Sequence, residues 1–176
     1  MLFQCSPYYS LSIHDATGLN QALLDGYLWH VGDGATRRTH QFEGRYENIY
    51  IGKDKIPQID QVLSHAIEAA ASILNLKTEM LRGGFWFNAM PPGSRTLRHA
   101  HDDDDELLSA VYYVSVPGDS GHLILHSGNF STHVTPKAGM FVFFSPDVQH
   151  EVTTNNSNEM RLSLGINIGP VNQVDK

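Results

Sequence analysis

Apolar positions recur with helical spacing at two places in the first half of the chain. The clearer pattern covers residues 57–75, where apolar side chains return every three or four positions and so mark one face of a helix. Pro57 suits the first turn, because the amide hydrogen that proline lacks has no helical partner there. A shorter helix is predicted after Asp15, which we expect to cap its start, with Gly26 as its stop.

From Gly83 onward the pattern changes to short strands separated by Pro-, Gly- and Asn-rich turns. The predicted strands are 84–90, 107–116, 121–127, 130–135, 139–145, 149–154 and 160–168. Ahead of them we expect one strand within 2–13 and a short strand at 46–51 inside an otherwise irregular stretch, 28–53.

Strands of this number and length indicate a mainly β protein with N-terminal helices and a double-stranded β-helix core. Such a core is a jelly roll of two facing sheets, as in cupins. We expect a single domain over residues 1–176. Within it, 1–80 would form a supporting layer of helices and strand, and 83–170 the jelly-roll core that carries the site.

Composition narrows the possible partners. The net charge of −7 argues against a nucleic-acid surface, which requires a basic patch. Cys5 is the only cysteine, so a metal would have to be held by histidines and carboxylates. The N-terminus lacks a basic segment, and the chain has no apolar run long enough for a membrane helix. We therefore expect a soluble cytoplasmic protein without a membrane partner.

The segment 98–106 contains two histidines and five carboxylates. His101 and Asp103 are two residues apart, so in an extended chain both point to the same side. His150 follows an apolar strand and a turn, which would carry it to the mouth of a barrel. A histidine, a neighbouring carboxylate and a distant histidine can bind one face of a metal ion and leave the other face open.

The last predicted strand has one polar face. Arg161, Ser163 and Asn167 alternate with the apolar residues Leu162, Leu164 and Ile166. An inward arginine beside a hydroxyl can hold a carboxylate through charge-assisted hydrogen bonds. The alternative is an edge strand whose polar face is solvated.

Together these segments resemble the iron(II)- and 2-oxoglutarate-dependent oxygenases, in particular the prolyl-hydroxylase-like branch and its small bacterial and phage relatives. The matching segments are Trp86–Asn88, His101–Asp103, Ser109–Tyr113, Gly121–Leu123, Gly139–Phe144, His150 and Arg161–Ser163. The resemblance implies an enzyme that uses iron(II), 2-oxoglutarate and O2 to hydroxylate an unactivated C–H bond, with release of succinate and CO2. The implied substrate is a small molecule or a peptidyl residue: an amino acid, a peptide or a natural-product-like compound.

The resemblance also implies a role for individual residues. The implied iron ligands are His101, Asp103 and His150. The implied cosubstrate-binding residues are Arg161, which would pair with the distal carboxylate of 2-oxoglutarate, Ser163, Tyr113 and Asn88. Arg98 is a candidate substrate contact at the lip of the barrel. The chain departs from the family pattern at Ala110, where close relatives have glycine, and in its long acidic run, Asp102–Asp105.

Two other hypotheses fit part of the same pattern. The spacing of Gly93, His99, His101 and Glu106 resembles the first cupin motif, and His150 would complete a metal site for a dioxygenase or isomerase that needs no 2-oxoglutarate. The second cupin motif fits poorly, because the segment 146–150 is one residue short and lacks its glycine. The other hypothesis is a non-enzymatic jelly roll that binds a ligand, with the acidic run as a solvated or calcium-binding loop.

Overall fold

The computed structural model describes residues 2–5, 7–100 and 105–171. Over these ranges the chain forms two α-helices, α1 (Thr17–His30) and α2 (Gln58–Leu74), and a short 3₁₀ turn at Thr78–Met80. The first six strands are β1 (Leu2–Cys5), β2 (Tyr8–Ser12), β3 (Arg37–Phe42), β4 (Arg45–Tyr50), β5 (Leu81–Met90) and β6 (Thr96–His99). The other six are β7 (Leu108–Ser115), β8 (Leu123–Ser127), β9 (Phe130–Val134), β10 (Met140–Phe144), β11 (Gln149–Val152) and β12 (Arg161–Pro170).

The strands form two antiparallel sheets that face each other. The larger sheet has eight strands in the order β1-β2-β10-β7-β12-β5-β4-β3, and the smaller has four in the order β6-β11-β8-β9. Apolar side chains from both sheets pack together between them, as Val142 and Phe144 do with Leu123 and Leu125. This is the predicted jelly roll, and the predicted fold class is confirmed.

β12 lies between β7 and β5 near the middle of the larger sheet. Leu162, Leu164 and Ile166 are buried in the core on the outer face of that sheet, whereas the alternate residues face the space between the sheets. The alternative prediction of a solvated edge strand is therefore wrong. The polar face of β12 is turned inward, where polar side chains need partners.

The two helices cover the outer face of the larger sheet. α2 matches its predicted range, and Ile59, Val62 and Ala66 on its apolar stripe are fully buried. Burial of a large aliphatic side chain contributes about 1.5–3 kcal/mol, so the stripe holds the helix on the sheet. No helix in the described ranges is long and apolar enough to cross a membrane.

The predicted ends of α1 are wrong at both sides. Asp15 precedes the helix with a φ of 53°, Ala16 takes the capping position, and the helix continues past Gly26 to His30. Gly26 lies inside α1, at the point where the helix passes close to the turn before α2. A Cβ on Gly26 would lie 2.9 Å from Cγ1 of Ile56, so the close approach requires glycine.

Four strands differ from the predictions: β1, β2 and β3 in the N-terminal half, and β6 around residue 96. The stretch expected to be irregular contains β3, which pairs with β4 through a turn at Glu43 and Gly44, where φ is 47° and 82°. The single strand expected within 2–13 is the hairpin of β1 and β2. The short strand β6 was not predicted, because its four residues have too little alternation to be recognised.

Candidate active site

A cavity of about 640 Å³ lies between the two sheets. The β3–β4 hairpin closes one of its sides, through residues such as Phe42, Glu47 and Tyr50. Six of the residues predicted for the oxygenase site line this cavity, although they belong to five different strands. They are Asn88, Arg98, Tyr113, His150, Arg161 and Ser163.

Arg161 is a buried cation at one end of the cavity. It is 1% exposed, and its Nη1 donates to the backbone oxygens of Ser120 and Gly121, at 3.2 Å each. Burial lowers the pKa of Arg161, and the nearby Tyr113 opposes that shift. The ion pairs among the described residues do not include Arg161, and its Nε has no hydrogen-bond partner there. A buried charge without a counter-charge is costly, so this end of the cavity favours an anion.

Tyr113 adds a hydrogen-bond donor beside this cation. The guanidinium carbon of Arg161 lies 5.1 Å from the centre of the Tyr113 ring. The tyrosine is fully buried, and its hydroxyl has no partner among the described residues. Burial raises the pKa of Tyr113, with Arg161 acting against the shift, so the hydroxyl remains protonated near neutral pH and can donate.

Strand register places Ser163 and Asn88 in the same row as Tyr113. On β12, Ser163 pairs with Tyr113 of β7 on one side and with Asn88 of β5 on the other. Antiparallel partners hold their Cβ atoms about 5 Å apart, so these three side chains are neighbours on the cavity floor. The four predicted cosubstrate residues thus form one group around the buried guanidinium.

His150 faces the same cavity from the smaller sheet. It is 6% exposed, its ring centre lies 4.8 Å from that of Phe144, and its Nδ1 is 3.0 Å from the backbone oxygen of Val148. A carbonyl oxygen can only accept, so this hydrogen bond places the proton on Nδ1 and leaves the lone pair on Nε2. A fixed tautomer of this kind is what a metal-binding histidine requires.

His99 is the cross-strand neighbour of His150. The two residues are paired between β6 and β11, and their ring centres are 4.3 Å apart. The Nδ1 of His99 lies 2.8 Å from the backbone oxygen of Leu97, so its tautomer is fixed in the same way. Either ring can therefore offer Nε2 to a metal ion.

The other two predicted iron ligands, His101 and Asp103, lie outside the described residues. Within the described ranges, no group of three or more His, Cys, Asp or Glu side chains is arranged to hold a metal ion. The described residues fit iron and 2-oxoglutarate at two points: the unpaired Arg161 and Tyr113 suit a carboxylate, and His150 suits the metal.

Arg45 connects several residues at one side of the cavity. Nothing in the sequence indicates that it lies there. It donates to Oδ1 of Asn88 at 3.2 Å, to Oγ1 of Thr96 at 2.9 Å and to the backbone oxygen of Arg95 at 2.8 Å, and it forms an ion pair with Glu47 at 2.9 Å. Burial lowers the pKa of Arg45, and Glu47 opposes the shift. The arginine thus ties the β3–β4 hairpin to β5 and β6.

Comparison with known proteins gives matches in structure but not in sequence. No protein-family model and no curated protein matches the chain. The structure is similar to a prolyl-4-hydroxylase from Pseudomonas putida, with a TM-score of 0.74 and 24% identity over 93% of this chain and 92% of that one.

Two other solved structures are nearly as similar. One is a prolyl hydroxylase from Trichoplax adhaerens in complex with a peptide from the oxygen degradation domain of hypoxia inducible factor, with a TM-score of 0.70, 16% identity and coverage of 93% and 83%. The other is the epimerase SnoN in complex with Fe3+, alpha ketoglutarate and nogalamycin RO, with a TM-score of 0.70, 14% identity and coverage of 93% and 78%. The chain therefore has the fold of the 2-oxoglutarate-dependent oxygenases, as the sequence resemblance implied.

Proposed function

We propose that this chain is an iron(II)- and 2-oxoglutarate-dependent oxygenase. It would hydroxylate an unactivated C–H bond of its substrate and release succinate and CO2. The observation that carries the proposal is the buried Arg161, which has no counter-charge among the described residues and lies beside the unpartnered Tyr113 hydroxyl. That pair lines the same cavity as His150.

Arg161 and Tyr113 would bind the distal carboxylate of 2-oxoglutarate. The backbone oxygens of Ser120 and Gly121 hold Nη1 of Arg161, which fixes the plane of the guanidinium. The remaining N–H groups can then donate to the carboxylate in charge-assisted hydrogen bonds. Ser163 and Asn88, on either side of the same row, would orient the cosubstrate further along the cavity floor.

His150 would hold the iron together with His101 and Asp103. Bound there, iron(II) supplies the oxygen chemistry that amino-acid side chains cannot perform. Phe144 lies beside His150, and Leu123 and Val152 line the same cavity, so these apolar side chains would limit the access of water to the metal. A dry site strengthens every electrostatic contact to the cosubstrate.

The substrate would be a small molecule or a peptidyl residue that enters along the β3–β4 hairpin. The hairpin contributes Phe42, Glu47 and Tyr50 to the cavity, and Arg98 lies exposed at its lip. Two similar structures support both substrate sizes, since the Trichoplax enzyme is in complex with a peptide and SnoN with nogalamycin RO.

An anaerobic titration of the iron(II)-loaded protein with 2-oxoglutarate tests the proposal. The expected result is a weak visible charge-transfer band that saturates with cosubstrate. Arg161→Gln should raise the dissociation constant at least about thirtyfold, because removing one partner of a buried charge pair costs about 2 kcal/mol or more. Arg95→Gln, which removes an exposed arginine that is paired with Glu43, is the matched control and should leave the titration unchanged. Absence of the band in the wild-type protein would reject the proposal.

The contact between His99 and His150 favours a second candidate, a cupin-type metal enzyme. In that site His99, His101, Glu106 and His150 would bind the metal, and 2-oxoglutarate would not be needed. Iron affinity of single variants separates the two. The oxygenase site predicts loss of iron with Asp103→Ala and retention with His99→Ala and Glu106→Ala, and the cupin site predicts the reverse.

A further inference from the structure

Arg45 contacts three residues that line the cavity: Glu47, Asn88 and Thr96. Its side chain is 12% exposed and forms the ion pair with Glu47. The guanidinium also donates to Oγ1 of Thr96 at 2.9 Å and to the backbone oxygen of Arg95 at 2.8 Å. These contacts hold a planar, forked group in one orientation. In that orientation its Nη1 lies 3.2 Å from Oδ1 of Asn88.

The contact with Arg45 fixes the orientation of the Asn88 amide. Arginine has donors only, so the atom of Asn88 that faces Nη1 must be the amide oxygen. With Oδ1 turned to Arg45, Nδ2 points away from it, and Asn88 lines the cavity. A hydrogen bond from a cation to the amide oxygen also polarises the amide, which makes Nδ2 a better donor. Asn88 therefore presents two N–H groups to a ligand.

Asn88 lies in the row of the sheet next to Arg161. Arg161 pairs with Met90 on β5, and Asn88 is two positions before Met90 on the same strand, which is about 7 Å. The β12 partner of Asn88 is Ser163, which has Tyr113 on its other side. The two carboxylates and the keto group of 2-oxoglutarate are acceptors, so they need donors in this row, and an amide oxygen there would repel them.

Arg45 does not act as a second anion site beside Arg161. Its charge is balanced by Glu47, with Nη2 of Arg45 2.9 Å from Oε1 of Glu47. Arg161 has no such partner among the residues that the structure describes. The anion thus belongs at Arg161, and the effect of Arg45 on it passes through the side chain of Asn88.

We propose that Arg45 is a positioning residue for the cosubstrate: it holds the Asn88 amide so that Nδ2 donates to an oxygen of 2-oxoglutarate. This inference rests on the proposed function and adds a residue from outside the cosubstrate group. Arg45 belongs to β4 and Asn88 to β5, so the orientation of the amide depends on the docking of the β3–β4 hairpin. The rival role is purely structural, in which Arg45 only ties that hairpin to the sheet.

Asn88→Asp tests the direction of the amide. An aspartate has the same shape and can still accept from Arg45, but its carboxylate has no proton to donate to the cosubstrate. In the anaerobic titration with iron(II) and 2-oxoglutarate, the dissociation constant should rise at least about tenfold, because a donor is lost and a negative charge faces an anion. The melting temperature without cosubstrate should not fall, since the contact with Arg45 remains.

A double-mutant cycle tests whether Arg45 acts through Asn88. Arg45→Met should weaken 2-oxoglutarate binding about tenfold, because the released amide can turn its oxygen to the cosubstrate. Asn88→Ala should have a similar effect. In the Asn88→Ala background, Arg45→Met should change the dissociation constant by less than about twofold, since the amide that it positions is already absent. A purely structural role predicts that the two effects multiply.

Arg45→Lys keeps the cycle informative if Arg45→Met does not fold, as judged by circular dichroism. Lysine retains a positive charge for Glu47 but lacks the fork that holds Asn88 and Thr96 together. It should weaken 2-oxoglutarate binding severalfold, and this effect should also disappear in the Asn88→Ala background. Arg95→Gln is the matched control: it removes the other arginine that tethers the β3–β4 hairpin, through Glu43, and should leave the dissociation constant within about twofold of wild type.

Three results would overturn the inference: unchanged 2-oxoglutarate binding in Asn88→Asp, multiplying effects in the cycle, or an Arg95→Gln variant as impaired as Arg45→Met. Failure of the proposed function looks different. If wild type shows the charge-transfer band and Asn88→Asp binds equally well, the oxygenase proposal stands and only the role of Arg45 is wrong. If wild type shows no band, the oxygenase proposal fails and the role of Arg45 fails with it.

Discussion

Two adjacent tyrosines of β7 have opposite roles. Tyr112 points to the helix-covered face of the sheet, where its hydroxyl donates to Oδ1 of Asn20 at 2.6 Å. Tyr113 points to the cavity, where its hydroxyl has no partner among the described residues. Burial raises the pKa of both, that of Tyr112 to about 12. A satisfied hydroxyl stabilises the fold, whereas an unsatisfied one is available to a ligand.

Removing each hydroxyl should therefore have a different consequence. Tyr113→Phe should cost little stability and weaken 2-oxoglutarate binding about tenfold, because it removes a donor that only the ligand uses. Tyr112→Phe should cost about 1 kcal/mol of unfolding free energy and leave 2-oxoglutarate binding unchanged. Denaturant unfolding and the anaerobic titration measure the two effects. If Tyr112→Phe impaired cosubstrate binding more than Tyr113→Phe, the assignment of roles would be wrong.

At the scale of elements, the close approach of α1 to the turn before α2 depends on Gly26. Glycine is a poor helix residue by about 1 kcal/mol relative to alanine. Its position inside α1 is nonetheless explained by Ile56, which is 1% exposed and would lie within 3 Å of a Cβ. Packing between the two elements therefore outweighs helix propensity at this position.

Gly26→Ala should destabilise the protein despite the better helix residue. Overpacking of a core typically costs about 1–3 kcal/mol, which exceeds the gain in propensity. Gly18→Ala in the same helix is the matched control, because no atom lies within 4 Å of the Cβ it would add. It should be neutral or stabilising by up to about 1 kcal/mol. Chemical denaturation compares the two, and a stabilising Gly26→Ala would contradict the packing argument.

The β3–β4 hairpin is tethered to the β5–β6 loop by an exposed ion pair. Arg95 donates to both carboxylate oxygens of Glu43, at 2.8 and 3.3 Å. The hydrogen bond from Arg95 lowers the pKa of Glu43. A lowered folded-state pKa stabilises the protein above the unfolded pKa of about 4.3, and the effect disappears as the pH falls through the folded value.

Glu43→Gln should consequently lower the melting temperature at neutral pH by a small amount. The difference from wild type should shrink as the pH falls below about 4, where the wild-type carboxylate also becomes neutral. Arg95→Gln should show the same trend, and the double variant should lose no more than either single one. A difference that persists unchanged at pH 3 would rule out the ion pair as its cause.

At the scale of the whole molecule, the two sheets meet around the site. The larger sheet contributes Arg161 and Tyr113, and the smaller contributes His150. Arg45 links the hairpin to the strand that leads toward residues 101–104. A ligand bound across the cavity would therefore stabilise the packing of one sheet against the other.

Iron(II) should raise the melting temperature of the wild-type protein, and the increase should grow with the ratio of the iron concentration to its dissociation constant. A ligand at a hundred times its dissociation constant adds about 2.7 kcal/mol to the folded state. His150→Ala should abolish this increase. His126→Ala is the matched control, because His126 also belongs to the smaller sheet but forms a hydrogen bond with Glu151 instead of lining the cavity. Equal increases in both variants would exclude His150 as an iron ligand.

The sequence predicted local features well where a local pattern exists. The strands after Gly83 and the helix α2 have regular alternation or helical spacing, and their turns have the residues that turns require. β3 and β6 were missed because their residues carry no clear alternation, and they are strands only because β4 and β11 pair with them. The sequence predicts a helix stop at Gly26 because Ile56, the neighbour that requires a glycine inside α1, is thirty positions away.

Three features can be recognised from the amino-acid sequence alone: the polar and apolar faces of β12, the histidine and carboxylate candidates, and the fold class. Side-chain alternation and the order of turns are encoded locally, so no tertiary contact is needed to recognise them. The burial of Arg161 without a counter-charge among the described residues depends on the tertiary structure, as does its grouping with Tyr113, Ser163 and Asn88. The hydrogen bond that Asn167 of β12 donates to Glu106 also depends on the tertiary structure. These groupings arise from sheet register and from the packing of two sheets, which join residues distant in the chain.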